Sequence, residues 1–437
     1  MNTTTAKTSH IKDFSKYTTL NILGMMGLSC YILADTFFVS KALGSMGLTA
    51  LNLAIPAYNF IHGTGLLLGM GGSTRWSILK ASGSDQGNIV FTTAFRLTIL
   101  LSLAFAAFGL LGSAPLARLL GADALTFDMT RTYLRILLLF SPFFMMNDLL
   151  LCFTRNDGAP GLAMKAMLAG SFSNILMDYI FMFPLQLGIF GAVLATGFAP
   201  VISMAVLSPH LLKKRNSFHL ASGSASQIPI ITSIGLPSLV AEVSSGAVII
   251  AFNIIILGLS GNIGVAAYGV VANLSLVVIS IYTGLSQGIQ PLLSRSHGHK
   301  DPAAIRDFLR YALVTTAVMS IVIYSGLFFG ADTVASIFNS EGNLQLQSMA
   351  IDGLRLYFIA CPFVGTNLVL SVYLTCTDHA RPAGILSLLR GFLLILPLAF
   401  LMAAVWKMTG LWLAFPVTEG LVMILGLLIL ACKKRCS

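Results

Sequence analysis

Five carboxylates stand inside long apolar runs of the sequence: Asp35, Asp148, Asp178, Glu242 and Glu419. A charged side chain at the centre of a membrane-spanning helix costs at least about 2.5 kcal/mol, so such residues are rare and as a rule face a polar interior. Asp35 lies in YILADTFFVS, within an apolar stretch that carries no other charge back to Tyr17. Asn174 and Asp178 are four residues apart, which puts them on one face of a helix. Thr196, on the next helix, adds a hydroxyl able to bond a protonated acid or to coordinate a dehydrated cation. Ion exchange is the chemistry on offer. Two aspartates in low-dielectric surroundings cannot both stay ionised cheaply, so a proton or a metal cation is taken up and later released.

Other chemistries find no support in the residue types. The six cysteines show no paired CxxC spacing, and the seven histidines include no HExxH arrangement, so no resident metal or cofactor is expected. No Ser/His/Asp order or phosphate-binding loop points to an enzyme either.

These residues need membrane helices to hold them. The chain has 437 residues, 56% hydrophobic and only 10% charged. Residues 42–74, 179–212 and 243–294 contain no Asp, Glu, Lys or Arg. Each is long enough for two crossings of about 20 residues. The runs are apolar all round rather than alternating, which excludes a β-barrel. Twelve helices are expected, near 14–39, 46–72, 88–112, 129–154, 161–184, 190–212, 228–257, 263–291, 307–331, 347–375, 383–405 and 408–432. They are called spans 1 to 12 below.

The net charge of +10 suits nucleic acid only until its distribution is followed. With the amino terminus inside, Lys7, Lys12, Lys16, Arg75, Lys80, Arg155, Arg295, Lys300 and the run Lys433, Lys434, Arg435 all fall on the cytoplasmic side. That asymmetry is the positive-inside pattern, and it sets both termini in the cytoplasm of a cell-membrane protein with no nucleic-acid partner. The first 13 residues are polar and lead to no cleavage site, so no removable signal peptide is expected.

Residues 213–227, KKRNSFHLASGSASQ, separate six spans from six and look like a linker between lobes 1–212 and 228–437. The lobes repeat. RILLLFSPFFMMN (135–147) matches RLYFIACPFVGTN (355–367), and GMGGSTRWSILKASG (69–83) matches GLSQGIQPLLSRSHG (284–298) glycine for glycine at both ends. Six helices is an even number, so the copies run in the same direction, the parallel-repeat plan of secondary transporters.

With YILADTFFVSKALG in span 1, NILMDYIFMFPLQLGIFGAVLAT in spans 5 and 6, GLSQGIQPLLSRSHG ending span 8, and RGFLLILPLAF followed by GLWLAFPVTEG in spans 11 and 12, the chain resembles the multidrug and toxic compound extrusion (MATE) family, in its MepA-like bacterial branch. The likeness covers nearly the whole length. It implies an all-α integral membrane fold of twelve transmembrane helices in two pseudo-symmetric six-helix bundles, exporting cationic or amphipathic compounds against protons or sodium by alternating access. It also implies that Asp35, Asp178, Asn174, Thr196 and Tyr31 form a cation-coupling cluster in the first lobe. Glu242 stands where sodium-coupled relatives place a second-lobe acid, but span 10 offers Asn367 instead of an aspartate, which favours protons. A further departure is Leu20, where the branch has a proline, so a bend in span 1 loses its simplest cause.

Substrate-cavity candidates are Asn147, Asn367, Met146, Met177 and Tyr179. Methionine and aromatic side chains suit flat lipophilic cations and suit ordinary packing equally well, and the two asparagines either line the cavity or tie helices together. The chain is expected to act as a monomer in the bilayer on small-molecule substrates. The nearest rival is a flippase for lipid-linked precursors, which calls for a basic cavity where this chain has acids; an ion channel would need a selectivity filter that the sequence does not show.

Overall fold

The computed structural model describes residues 3–212, 215–339 and 343–436, and among them the regular structure is helical, with no strand. In chain order the elements are α1 (Thr3–Ala81), α2 (Gly87–Leu119), α3 (Phe127–Leu139), α4 (Ser141–Asn156), α5 (Pro160–Met182) and α6 (Gly188–Leu212). The second half holds α7 (Ile228–Gly298), α8 (Pro302–Phe329), α9 (Ala331–Phe338), α10 (Leu344–Tyr357), α11 (Cys361–Cys376), α12 (Ala380–Leu388) and α13 (Ile395–Cys436).

Three of these elements are far too long to cross a membrane once, and each is a hairpin of two spans folded at a single break. In α1 the break is Gly44 (φ 65°), in α7 Gly261 (φ 62°), and in α13 Trp406 and Lys407. Side chains pair at nearly equal distances on either side of the break: the Tyr31 and Tyr58 hydroxyls lie 3.1 Å apart across Gly44, and Phe252 stacks on Tyr268 across Gly261. The sequence leads one to expect loops at 40–45 and 258–262; positive φ at one glycine does the work of each. α3 and α4 form one span bent by 47°, and α12 runs through a π-helical turn into α13 as another. Counted this way, the twelve expected spans are present.

The bend between α3 and α4 has a clear cause. Pro142 removes the amide that would bond the Leu138 carbonyl, and the Ser141 hydroxyl donates there instead, at 2.6 Å. Its repeat partner Pro362 opens α11 after a one-turn 3₁₀ segment, so both copies of the motif break their span at the same point.

The largest buried apolar cluster of each half lies within that half, and another joins Phe14 and Tyr17 of span 1 to Leu285, Ile289 and Leu292 of span 8. Glycines bring the halves together on the side that carries the chain termini. A Cβ on Gly71 would lie 2.0 Å from the Ile231 carbonyl oxygen, and one on Gly288 would lie 2.7 Å from the Thr18 Cα. The repeated glycine-rich segments thus do equivalent work: span 2 packs on span 7, and span 8 packs on span 1.

The described part of the segment between the halves is docked rather than free. Phe218 is buried among Phe91, Phe153 and Trp76, with ring centroids at 4.8, 5.5 and 6.1 Å. The backbone amides of Ser217, His219 and Ser224 donate to Asp157, Asn88 and Thr93.

Candidate cation-coupling pocket

Span 1, α5 and α6 converge inside the first half. Asp35 is 7% exposed and Asp178 fully buried, close enough to feel each other's charge. Asn174 donates through Nδ2 to Asp178 Oδ2 at 3.1 Å and accepts from the Thr196 backbone amide at 3.2 Å, with its amide turned so that both ends are satisfied. The Thr196 hydroxyl donates to the Ala192 carbonyl at 3.1 Å. Pro200, four residues on, has no amide to give the Thr196 carbonyl, which is therefore free of its helical partner at the edge of the pocket.

One oxygen of each aspartate, Oδ1 in both, is buried without a hydrogen-bond partner. A buried carboxylate oxygen without a donor is costly as an anion and becomes acceptable once it carries a proton or a bound cation. Two such oxygens buried in one lobe are the chemistry that taking up and releasing a proton or cation requires. Among the described residues no group of three or more His, Cys, Asp and Glu could hold a metal ion.

The expected cluster is thus brought together with one change. The Tyr31 hydroxyl, a turn before Asp35, turns to Tyr58 rather than to a carboxylate. Tyr133 joins instead, buried beside Thr196 and within the field of both aspartates. Its place between Arg131 and Arg135 gave no sign of that burial.

Asn367 takes the helix-tying one of its two expected roles: its amide nitrogen donates to the Glu419 backbone oxygen at 2.9 Å and to Glu419 Oε2 at 2.7 Å, and Glu419 pairs with Arg390 at 2.9 Å. It ties span 10 to span 12, and its Oδ1, like that of Asn147 at the related point of the first lobe, is buried and unpartnered. Tyr179 is 52% exposed and packs at a tilt against Phe38 and Phe183, because a residue next to Asp178 points about 100° away from the pocket. Met146 packs against the first apolar cluster, and Met177 is half-buried. Glu242 is not paired with span 10. It stands at the seam between the halves, its Cβ 3.0 Å from where a Cβ on Gly63 would be. Asp148 lies midway along α4 and is buried, with Oδ2 2.9 Å from His62 Nδ1.

The MatE family profile matches residues 21–180 and 237–401, about three-quarters of the chain. The chain belongs to the MatE family. Two matched segments of similar length, one on either side of the docked linker, agree with the internal repeat. The multidrug export protein MepA of Staphylococcus saprophyticus is 24% identical over 97% of this chain and 94% of its own length. Its namesake in Staphylococcus aureus is 25% identical over 93% and 90%. In fold, the chain is similar to a solved structure described as the outward-facing conformation of a multidrug resistance MATE family transporter of the MOP superfamily, with a TM-score of 0.91, 21% identity and coverage of 97% and 96%. This MatE chain is therefore a multi-pass membrane transporter with twelve helices in two six-helix bundles.

Proposed function

We propose that the chain exports cationic or amphipathic compounds from the cytoplasm in exchange for protons entering through the Asp35–Asp178 pocket. The observation that carries this reading is the pair of orphaned carboxylate oxygens in a cage of amide and hydroxyl groups. A proton arriving from outside neutralises the pair, changes how spans 1, 5 and 6 pack, and lowers the affinity for the substrate by linkage. The membrane potential supplies about 2.3 kcal/mol per charge per 100 mV. The MepA relatives, multidrug export proteins, support the substrate class. Both termini lie in the cytoplasm, the membrane is the cell membrane, and one chain holds both lobes of the path, so a monomer suffices.

The test is ethidium efflux from inverted vesicles with a proton gradient or a sodium gradient imposed separately. A proton gradient should drive export, and Asp35→Asn should abolish it at unchanged protein level. Export driven by sodium alone, or undiminished in Asp35→Asn, defeats the reading.

A further inference from the structure

Outside the pocket, a row of polar side chains runs from it to the seam between the lobes. The Tyr31 hydroxyl meets Tyr58 at 3.1 Å, the Tyr58 ring stacks on His62 at 5.8 Å and 12°, and His62 Nδ1 lies 2.9 Å from Asp148 Oδ2. The His62 and Asp148 side chains are 15% and 7% exposed, and Glu242 faces both from span 7. Around His62 the charged and titratable groups are thus Asp148 from α4, Glu242 from α7, and Tyr58 with Tyr31 behind it from α1; the Arg155 guanidinium, two turns along α4, is engaged with Cys152.

Two carboxyl groups, Asp148 and Glu242, share this part of the seam with one imidazole, and Asp148 is too buried for water to compensate its charge. A protonated His62 supplies the one positive charge that Asp148 needs. A lipophilic cation in the seam would supply it equally well, against the aromatic faces of Tyr58 and Phe144, which meet at 5.7 Å.

We propose that His62 is a second proton-exchange group of this carrier: as imidazolium it is the built-in counter-cation of Asp148, with Glu242 beside it, and an incoming cationic substrate takes its place while its Nε2 proton leaves to water and the Nδ1 proton stays on the bond to Asp148. One cation enters and one proton departs, so the seam keeps its charge. The idea rests on the substrate class proposed above, and it places proton–substrate competition at the seam as well as in the Asp35–Asp178 pocket.

Binding of tetraphenylphosphonium to the purified full-length protein, by calorimetry in two buffers of different ionisation enthalpy between pH 5.5 and 8.5, tests it. Wild type should release protons on binding, with a Kd that rises as pH falls, by up to tenfold per pH unit for each proton exchanged. His62→Gln keeps a donor for Asp148 but carries no exchangeable charge. It should release close to one proton fewer where wild-type release is maximal, and bind about tenfold more tightly at pH 5.5. Asp148→Asn should weaken binding at every pH. His62→Asn, the smaller replacement, gives the same readout should the glutamine variant fold poorly. An unchanged proton count in folded His62→Gln and His62→Asn overturns this inference alone, whereas a folded wild type that binds no cation at any pH defeats the substrate reading itself.

Discussion

Asn174 is the residue on which the pocket depends most, because it is the donor holding Asp178 and reads the position of Thr196 at the same time. A hydrogen bond to a charged group is worth about 1.5–3 kcal/mol. Asn174→Ala should therefore cut proton-driven ethidium efflux by about ten- to hundredfold while the protein stays folded, measured as initial rates at equal protein content; an unchanged rate would remove Asn174 from the mechanism. Residue types made this pocket legible, since acids in an apolar run are too costly to be incidental. Tyr133 and the His62–Asp148 pair were missed because a sequence shows each orphan but not its partner. His62 sits in the charge-free stretch 42–74 and Asp148 is 86 residues away, and nothing in either neighbourhood says that they meet.

Apolar length and the internal repeat make the number of spans legible in the sequence, whereas turn geometry is not, since one glycine at positive φ replaces a loop of several residues. Glycines act on elements in two separable ways. A Cβ on Gly235 would lie 1.9 Å from the Leu67 carbonyl, a backbone atom that cannot swing aside, so Gly235→Ala must push span 7 off span 2. Overpacking of this kind costs about 1–3 kcal/mol or more. Gly44 meets nothing within 4 Å, so Gly44→Ala costs only its backbone conformation, φ 65° and ψ −154°, a region essentially confined to glycine, at about 1–3 kcal/mol. Thermal melting in detergent should show a clear drop for Gly235→Ala; an unchanged melting temperature would contradict the packing account.

The whole molecule is closed on the side of its termini by a seam that is polar rather than oily. Arg155, 2% exposed, donates to Asn21 at 3.0 Å and to the Gln287 side chain across the seam, while Asn156 reaches Gln290 at 3.0 Å and the Ser77 and Ser294 hydroxyls meet at 3.0 Å. Its hydrogen-bond partners are neutral side chains, so a buried guanidinium recovers hydration when the lobes part, and that gain offsets much of the hydrogen bonding lost. A seam built this way opens at small net cost, unlike the apolar cluster in each lobe, which is what rigid-body alternation of two bundles needs. Two hydroxyls 3.0 Å apart on spans 2 and 8 also offer a lock, because cysteines there would bring their sulfurs within reach of a disulfide with little backbone movement. In a background with the six native cysteines replaced, Ser77→Cys/Ser294→Cys should cross-link under oxidant and stop ethidium export, and reductant should restore it. Export at the full rate from fully cross-linked protein would mean that this side never opens, and the path between the lobes would have to be abandoned.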